Sequence, residues 1–225
     1  MSDNFEKVQK LLGYEFNNPD FLKTALTHRS YSSEHGLKYC NERMEFLGDS
    51  ILSAVVSGFL YKKYNNEDEG KLSRIKAQIV SAKNLSVWAK KIKLNDFVLI
   101  SKSEETNSAR QRDSLLCDSF EAVIGAIFLD SNFLTVSDFI NGFLKEQKEV
   151  KLTDYKTYLQ ELIQAEFQTL PEYKTVKESG PDHDKKFEVA VFVKGNRFGL
   201  GKGGSKKQAE QNAAKCAVEK FKDNL

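Results

Sequence analysis

Five acidic side chains in this sequence fall into two groups with helical spacing. Glu42, Glu45 and Asp49 stand at positions i, i+3 and i+7, and Asp118 and Glu121 stand at i and i+3. At about 100° per residue, the first three lie within about 60° of one another on a helix. A solvated acidic face is the ordinary explanation of such spacing. Spacing alone therefore predicts one acidic face on each of two helices.

Both acidic groups are embedded in apolar sequence. Residues 51–56 follow Asp49 and are nearly all apolar, and residues 122–129 follow Glu121 and are apolar apart from Gly125. Helices that are apolar nearly all round are predicted to be buried, and burying uncompensated carboxylates is costly. We therefore expect a cation between the two helices, and Gly125 would let a neighbouring element approach closely. Oxygen ligands without His or Cys favour Mg²⁺, with Mn²⁺ as a substitute.

A carboxylate-bound Mg²⁺ fits phosphodiester hydrolysis, because it neutralises phosphate charge, lowers the pKa of a bound water and stabilises the leaving oxygen.

Two histidines are alternative general bases. His28 is more typical of a structural hydrogen-bonding residue, and His35, in a polar stretch, of a solvated one. Arg74 and Lys76 could touch phosphate, although a solvated helix face is the simpler interpretation.

Residues 5–147 are predicted to be mainly helical, because apolar residues recur there at helical spacing. Polar residues at 64–70 predict a loop, and a charged run at 148–153 is interpreted as a linker. Residues 154–223 then show helix, strand and helix patterns. The predicted architecture is multidomain: an all-α domain at 1–147 followed by a small α+β (α-β-β-β-α) domain at 154–223, with both helices on one side of the sheet.

The second domain contains one clearly alternating strand, 186–194, flanked by turns. The residues predicted on its inner face are Phe187, Val189, Val191 and Val193. Gly180-Pro181 marks a turn before it, and Gly195-Asn196 after it suits a hairpin. A final helix is predicted over 205–222. The residues predicted to face inward from it are Ala209, Ala213, Cys216, Ala217 and Phe221.

Composition narrows the class of protein. The net charge of +2 identifies no partner, but the basic balance lies at the C-terminal end, where residues 151–225 hold 14 Lys+Arg and 11 Asp+Glu. Cys40, Cys117 and Cys216 are widely spaced and are interpreted as reduced core thiols. Residues 1–6 are polar and acidic, and no apolar run reaches the length of a membrane span. We expect a soluble cytoplasmic protein with no membrane partner and no organic cofactor.

The last predicted helix begins with residues that suit an anion. Ser205 is a good N-cap, but lysines in the first turn oppose the positive end of the helix dipole. Lys206 and Lys207 are there, and Lys202 precedes them. Surface lysines are one interpretation. The alternative is a phosphate site, in which the helix-start amides and these three lysines act together.

Several segments resemble bacterial ribonuclease III. Residues 41–50, NERMEFLGDS, resemble its signature decapeptide, and residues 118–126, DSFEAVIGA, resemble its second acidic motif. Residues 12–16 and 25–31 are similar to its N-terminal helices. Residues 205–214, together with Gly180-Pro181-x-His183, are similar to the double-stranded-RNA-binding domain. The resemblance covers nearly the whole chain.

The resemblance implies a catalytic site. The implied metal ligands are Glu45, Asp49, Asp118 and Glu121. Glu42 resembles an additional acidic residue near the cleavage site and subunit interface, and Phe46 an aromatic side chain that fills a pocket on the partner subunit. The implied enzyme is a homodimer that cuts double-stranded RNA and leaves 5′-phosphates, 3′-hydroxyls and short 3′ overhangs. Ribosomal RNA precursors and structured messages are its implied substrates.

The resemblance also implies RNA contacts on the second domain. On the first helix, the implied contacts to one minor groove are Thr157, Gln160, Glu161 and Gln164. His183 would lie in the next groove, and the three lysines would contact the phosphates between them. A domain of this kind recognises A-form shape and 2′-hydroxyls more than sequence. For Gln160 and Gln164, a solvated helix face is the alternative.

Two departures and two alternatives stand beside this interpretation. Ser108-Ala109 replace a usual Gly-Gly, and Ser103 replaces a frequent Gly before Glu104; both changes affect a loop rather than a ligand.

A non-catalytic RNA-binding protein could keep the nuclease fold for dimerisation, but it would be expected to lose some of the acidic residues. A phosphohydrolase of small molecules would leave the second domain without a purpose.

Overall fold

The structure is a computed structural model that describes residues 2–147, 155–181 and 185–222. By its contacts the chain divides into two compact units, Met1–Val150 and Lys151–Leu225, and each unit is described by itself. The predicted linker at 148–153 and the predicted RNA contact His183 lie outside the described residues.

The first unit is helical. Its α-helices are α1 (Ser2–Leu12), α2 (Pro19–Leu26), α3 (Arg29–Glu34), α4 (Glu42–Lys63), α5 (Glu69–Ile79), α6 (Ala82–Lys91), α7 (Lys102–Thr106), α8 (Asp113–Asp130) and α9 (Phe133–Glu146). Single turns of 3-10 helix lie at Leu94–Asp96 and Ala109–Gln111. The predicted all-α class of this unit is confirmed.

Helix α8 is the centre of the first unit, packed against α4, α6, α2 and α9. From position 115 to 127 its residues are buried, apart from the half-buried Asp118. Aromatic rings cover one side, where Phe120 meets Trp88 and Phe143 at centroid distances of 5.9 and 5.2 Å. The predicted burial of the second acidic helix is therefore confirmed, and this environment makes a carboxylate on α8 costly.

Helix α4 was predicted to be buried all round, and this prediction was wrong. Its inner face packs on α8, but a stripe at helical spacing is exposed to solvent. The exposed stripe comprises Phe46, Ser50, Ala54, Ser57 and Tyr61. The small and polar members of this stripe interrupt the apolar pattern on one side of the helix.

By length and composition alone, α4 also meets the requirements of a membrane-crossing helix, contrary to the expectation that no segment would. The core helix of a water-soluble protein meets the same requirements. Leu52, Val56 and Leu60 are buried in the core of the first unit, so the apolar side of α4 is covered by protein.

The second unit is an α-β-β-β-α domain, as predicted. Its elements are α10 (Tyr155–Phe167), β1 (Glu172–Ser179), β2 (Lys186–Val193), β3 (Asn196–Gly203) and α11 (Lys206–Lys222). The strands form an antiparallel sheet in the order β1-β2-β3. Both helices share one core with the sheet, in which Leu159 of α10, Val191 of β2 and Ala213 of α11 are fully buried.

Two details of the second unit correct the sequence predictions. The hairpin between β2 and β3 turns at Lys194-Gly195, both with positive φ (47° and 80°), because Asn196 already pairs with Val193. On α11, Ala214 and Val218 are buried, whereas Cys216 and Phe221 are only half-buried. The inner face is therefore rotated relative to the predicted one.

The cysteines correct a further prediction. Cys40, Cys117 and Cys216 are free thiols, but Cys117 alone of the three is buried in a core.

Alternate glycines on β3 explain how α11 lies directly on the sheet. A Cβ atom at Gly199 or Gly201 would overlap the backbone of Ala213, and one at Gly203 would crowd the amide of Ala209. These glycines therefore let the helix carry its lysine-rich start close to the end of β3.

Candidate active site

Two glycines position the acidic residues by letting α4 and α8 cross in direct backbone contact. A Cβ atom at Gly48 would overlap the carbonyl oxygen of Glu121, and one at Gly125 would overlap the carbonyl oxygen of Met44. The predicted close approach at Gly125 is thus observed, and Gly48 is its counterpart on α4. Side chains one turn from this crossing must lie near one another.

The five acidic residues differ in exposure. Glu121 is 8% exposed, Glu45 and Asp118 are half-buried, and Glu42 and Asp49 are exposed. The acidic residues thus extend from the α4–α8 interface out to solvent. Glu42 forms an exposed ion pair with Arg29, 3.7 Å from Oε1 to Nη1, and such pairs contribute little stability.

The pKa values report how closely these carboxylates are grouped. Burial, followed by the charges of Asp49, Asp118 and Glu45, raises the pKa of Glu121 to about 8. Burial, followed by the charges of Asp118, Glu42 and Asp49, raises the pKa of Glu45, and burial raises that of Asp118. Like charges at close range oppose ionisation of one another. Carboxylates from α4 and α8 therefore form one electrostatic unit.

Cys117 belongs to this unit, which sequence reasoning missed. Its Sγ and the carboxylate oxygens of Asp118 and Glu121 lie within 4.8 Å of one another, a separation that suits ligation of a metal ion. The thiol donates a hydrogen bond to Glu121, and burial raises its own pKa. Glu45 and Asp49 lie outside this group of three and act on it through their charge. The spacing of residues 117, 118 and 121, at i, i+1 and i+4 of one helix, could have indicated this group of three in the sequence.

A cleft of about 830 Å³ opens beside these residues. It is lined by acidic residues of both helices, Glu42, Glu45 and Asp118, and also by Asn41. Basic side chains line it too, namely His28, Arg29 and Arg112. Sequence reasoning did not assign Asn41, Arg29 or Arg112 to the site.

His28 has the structural role that its sequence context favoured. Its Nδ1 accepts a hydrogen bond from the amide of Ser30 at 3.2 Å and caps the start of α3. Burial lowers its pKa, so its imidazole is biased toward the neutral form. His35 is exposed and stacks on Tyr31 with ring centroids 3.9 Å apart.

The two other basic residues considered, Arg74 and Lys76, are half-buried on α5 and are not among the residues that line the cleft.

The loop that departs from the family pattern adopts a conformation in which glycine would be favoured. Ser108 has φ 53° and ψ 32°, the left-handed region, and Ala109 is fully buried. Glycine adopts this conformation without a steric cost, so Ser108 carries strain that a usual Gly would avoid. Further along the loop, Arg112 forms an ion pair with Glu104 in the lining of the cleft.

The predicted RNA contacts on the second unit are solvent-facing where they are described. On α10 the exposed residues are Thr157, Gln160, Glu161 and Gln164, opposite the buried Leu159 and Ile163. At the start of α11, Ser205 Oγ accepts a hydrogen bond from the amide of Gln208 at 3.2 Å, as its predicted N-cap role requires. Lys202, Lys206 and Lys207 are exposed.

Two of these lysines face glutamates across the sheet. Lys206 Nζ lies 2.9 Å from Glu178 Oε1, and Lys202 Nζ lies 3.8 Å from Glu188 Oε2. Both pairs are at the surface, where an ion pair contributes little. A phosphate could therefore replace the carboxylate as the partner of either lysine.

Comparison with known proteins matches both units. Residues 18–147 match the Ribonuclease-III-like family, and residues 155–221 match the Double-stranded RNA binding motif. The chain is 42% identical over 228 aligned positions to "Ribonuclease 3" of Aliarcobacter butzleri, with 99% of this chain and all of the relative covered. It is 44% identical to "Ribonuclease 3" of Streptococcus pneumoniae over 216 positions, with 93% of each chain covered.

A solved structure is similar to the first unit. The nuclease domain of ribonuclease III from Campylobacter jejuni, described for flexibility in a region involved in dimer formation, aligns with a TM-score of 0.61 and 36% identity. The alignment covers 64% of this chain and 99% of that domain.

A helical nuclease unit with grouped carboxylates, followed by a double-stranded RNA binding motif, defines a double-strand-specific endoribonuclease. The chain belongs to the ribonuclease III family, which is metal-dependent. Double-stranded RNA is its partner.

Proposed function

We propose that this endoribonuclease hydrolyses phosphodiester bonds with Mg²⁺, or Mn²⁺ as a substitute. The proposed ligands are Glu45, Asp49, Asp118 and Glu121. The observation that carries the proposal is the contact of α4 with α8 at Gly48 and Gly125, beside which burial, followed by the carboxylates of both helices, raises the pKa of Glu121 to about 8. Grouped carboxylates with raised pKa values are stabilised by a hard divalent cation.

The donor set fits this ion, because the four proposed ligands supply oxygen atoms, and burial and three neighbouring carboxylates raise the pKa of Glu121. The thiol of Cys117, whose pKa is raised by burial, keeps its proton and is not one of the proposed ligands. When bound, Mg²⁺ would supply charge neutralisation at the phosphate and a water of lowered pKa. The chain's own carboxylates would release their protons to solvent on binding the cation and would orient it. Glu42, exposed at the cleft, is proposed as an accessory acidic residue near the scissile phosphate.

The ends of the product follow from the bond that is proposed to break. In-line attack by water on phosphorus, with cleavage of the bond from phosphorus to the 3′-oxygen, would leave a 5′-phosphate on one fragment and a 3′-hydroxyl on the other. We propose 5′-phosphate and 3′-hydroxyl ends with short 3′ overhangs. Such overhangs arise when two sites cut opposite strands of one duplex at staggered positions.

We propose that the two sites come from a homodimer. Phe46 is 76% exposed and Tyr61 75% exposed on the solvent-facing stripe of α4, and large exposed apolar groups in one stripe favour a protein partner. Phe46 is the proposed plug into a pocket of the partner subunit. The solved relative from Campylobacter jejuni, described as having a region involved in dimer formation, supports this assembly.

On the second unit, the proposed minor-groove contacts are Thr157, Gln160, Glu161, Gln164 and His183. Lys202, Lys206 and Lys207 are the proposed phosphate contacts, supported by their exposure at the start of α11 and the end of β3. We further propose ribosomal RNA precursors and structured messages as substrates, in the cytoplasm, without a membrane partner or an organic cofactor. Free thiols at all three cysteines support a reducing compartment.

The test of the proposal is cleavage of a labelled RNA duplex with Mg²⁺ by the wild type and by Glu121→Gln. Because the amide cannot supply the ligand charge, we expect cleavage to fall by at least about a hundredfold, while duplex binding without a divalent cation stays within error of the wild type. The exposed Glu6→Gln on α1 is the control and should cleave normally. Normal cleavage by Glu121→Gln would refute the assignment of the site.

A further inference from the structure

Asn41, immediately before α4, is a buried polar residue whose side-chain donor has no partner among the described residues. It is 1% exposed, and its Nδ2 forms no hydrogen bond to that part of the chain. Asparagine is a favoured N-cap residue, but here its side chain makes no capping bond to α4. An unsatisfied buried donor is destabilising, and a role in function would explain why the residue is an asparagine.

The backbone of Asn41 is tied at both ends, so the position of the residue is well defined. Its amide donates to the carbonyl of Thr27 at 2.9 Å, and its carbonyl accepts from the amides of Met44 and Glu45, each at 2.9 Å. The residue is therefore fixed at the N-cap of α4. Its side-chain amide has no such restraint from the described residues 2–147.

Glu45 offers the complementary group. It is a half-buried carboxylate in the first turn of α4. Residues 41 and 45 are at i and i+4, and a helical side chain tilts toward the N-terminus, onto the preceding turn. Both residues line the same cleft. A buried donor without a partner among the described residues thus lies one turn from a half-buried carboxylate.

We propose that Asn41 is a positioning residue: its Nδ2, which has no partner among the described residues, turns toward Glu45 when the cation binds, donates a hydrogen bond to the Glu45 carboxylate and holds it in the orientation that binds the cation. The inference rests on the proposed function, because it takes Glu45 as a metal ligand. Hydrogen bonds from outer residues orient the ligands of metal sites, and their loss typically weakens metal binding or activity by about 10- to 100-fold.

A direct contact from Asn41 to an RNA phosphate is the competing role for the same amide. The two roles differ in what they require. Orientation of Glu45 affects the cation whether or not RNA is present. A phosphate contact affects RNA binding whether or not the cation is present.

The test uses Asn41→Ala and Asn41→Leu in the full-length chain, the second to keep the volume while removing the donor. Asn66→Ala, at an exposed position between α4 and α5, is the control. Binding of Mg²⁺ and Mn²⁺ to the free protein is measured by calorimetry, thermal unfolding is measured with a chelator present, and duplex binding is measured without a divalent cation. Cleavage is then titrated with Mg²⁺.

We expect both Asn41 variants to bind the cations about 10- to 100-fold more weakly and to need correspondingly more Mg²⁺ for half-maximal cleavage. Their melting temperature in chelator should equal or exceed that of the wild type, because an unsatisfied buried donor has been removed. Duplex binding without cation should be unchanged, and Asn66→Ala should match the wild type in every measurement.

Unchanged cation affinity in both variants would overturn the proposal. So would a lower melting temperature in chelator without a change in cation affinity, which means a structural role, or weaker duplex binding without cation, which means a phosphate contact. If the wild type failed to cut an RNA duplex, the proposed function would fail, but the calorimetric comparison would still decide the role of Asn41.

Discussion

At the scale of single residues, the acidic cluster combines groups that oppose one another's ionisation. Glu121 is 8% exposed, and both its burial and its acidic neighbours raise its pKa. The sequence predicted these carboxylates because they stand at helical spacing in apolar surroundings. It did not indicate Cys117 or Asn41, because a lone thiol and a lone amide have no periodicity, and their roles depend on contacts between turns and helices.

The raised pKa of Glu121 predicts a pH dependence of stability for the cation-free chain. Between pH 4.5, the ordinary pKa, and about 8, the folded value, the folded chain keeps a proton that the unfolded chain loses. The free energy of unfolding should therefore fall as the pH rises, by at most about 1.4 kcal/mol per pH unit from this group. Urea unfolding in chelator at several pH values measures the slope. Glu121→Gln should flatten it, leaving the part due to Glu45 and Asp118 and the opposite contribution of His28, whose pKa burial lowers. An equal slope in both proteins would contradict the prediction.

Charge neutralisation at Glu178 should strengthen RNA binding. This carboxylate lies 2.9 Å from Lys206 Nζ and competes with phosphate for the lysine. Because an exposed ion pair is weak, we expect Glu178→Gln to raise duplex affinity by about two- to fivefold. Lys206→Ala should weaken binding and reduce the slope of affinity against salt concentration by about 1. Fluorescence anisotropy at several salt concentrations measures the duplex affinity of each variant. An unchanged salt slope in Lys206→Ala would mean that this lysine does not contact phosphate.

At the scale of secondary-structure elements, close backbone approach positions both functional regions. Gly48 and Gly125 let α4 meet α8, and alternate glycines on β3 let α11 lie on the sheet. Periodicity predicted these elements well where one face is strongly apolar, as on α8 and β2. It failed for α4, where Ser50 and Ser57 leave one side exposed, because a high overall apolar content concealed a face of small and polar residues.

Two glycine-to-alanine substitutions in helices should have opposite effects. At Gly125 a Cβ atom would overlap the Met44 carbonyl, so Gly125→Ala should destabilise the fold by about 1–3 kcal/mol or more and separate the two acidic helices. At Gly142 of α9, the new Cβ would have no described atom within 4 Å beyond its chain neighbours and the backbone of its own helix, so Gly142→Ala should stabilise by about 0.5–1 kcal/mol. Urea unfolding measures both. Equal effects would mean that helix propensity, rather than the crossing, determines the outcome at Gly125.

At the scale of the whole molecule, the candidate catalytic residues and the predicted RNA contacts belong to different units. The first groups the carboxylates at its central helix crossing, and the second presents an exposed helix face and a lysine-rich helix start. The order of these units, their class and their family were predictable, because each carries periodic patterns and specific motifs over nearly its full length. The hairpin turn at Lys194-Gly195 was missed by one residue, because strand register decides which residues of a turn sequence form the turn.

The central claim is that carboxylates of α4 and α8 act as one cation-binding unit that cuts double-stranded RNA. The most direct test measures cleavage of a labelled duplex by Glu45→Gln, by Asp118→Asn and by the double variant, each at saturating Mg²⁺. We predict that each single change lowers the rate at least about a hundredfold. The double change should add little, because residues that act as a unit have non-additive effects. Normal cleavage by either single variant, or losses that multiply in the double variant, would contradict the claim.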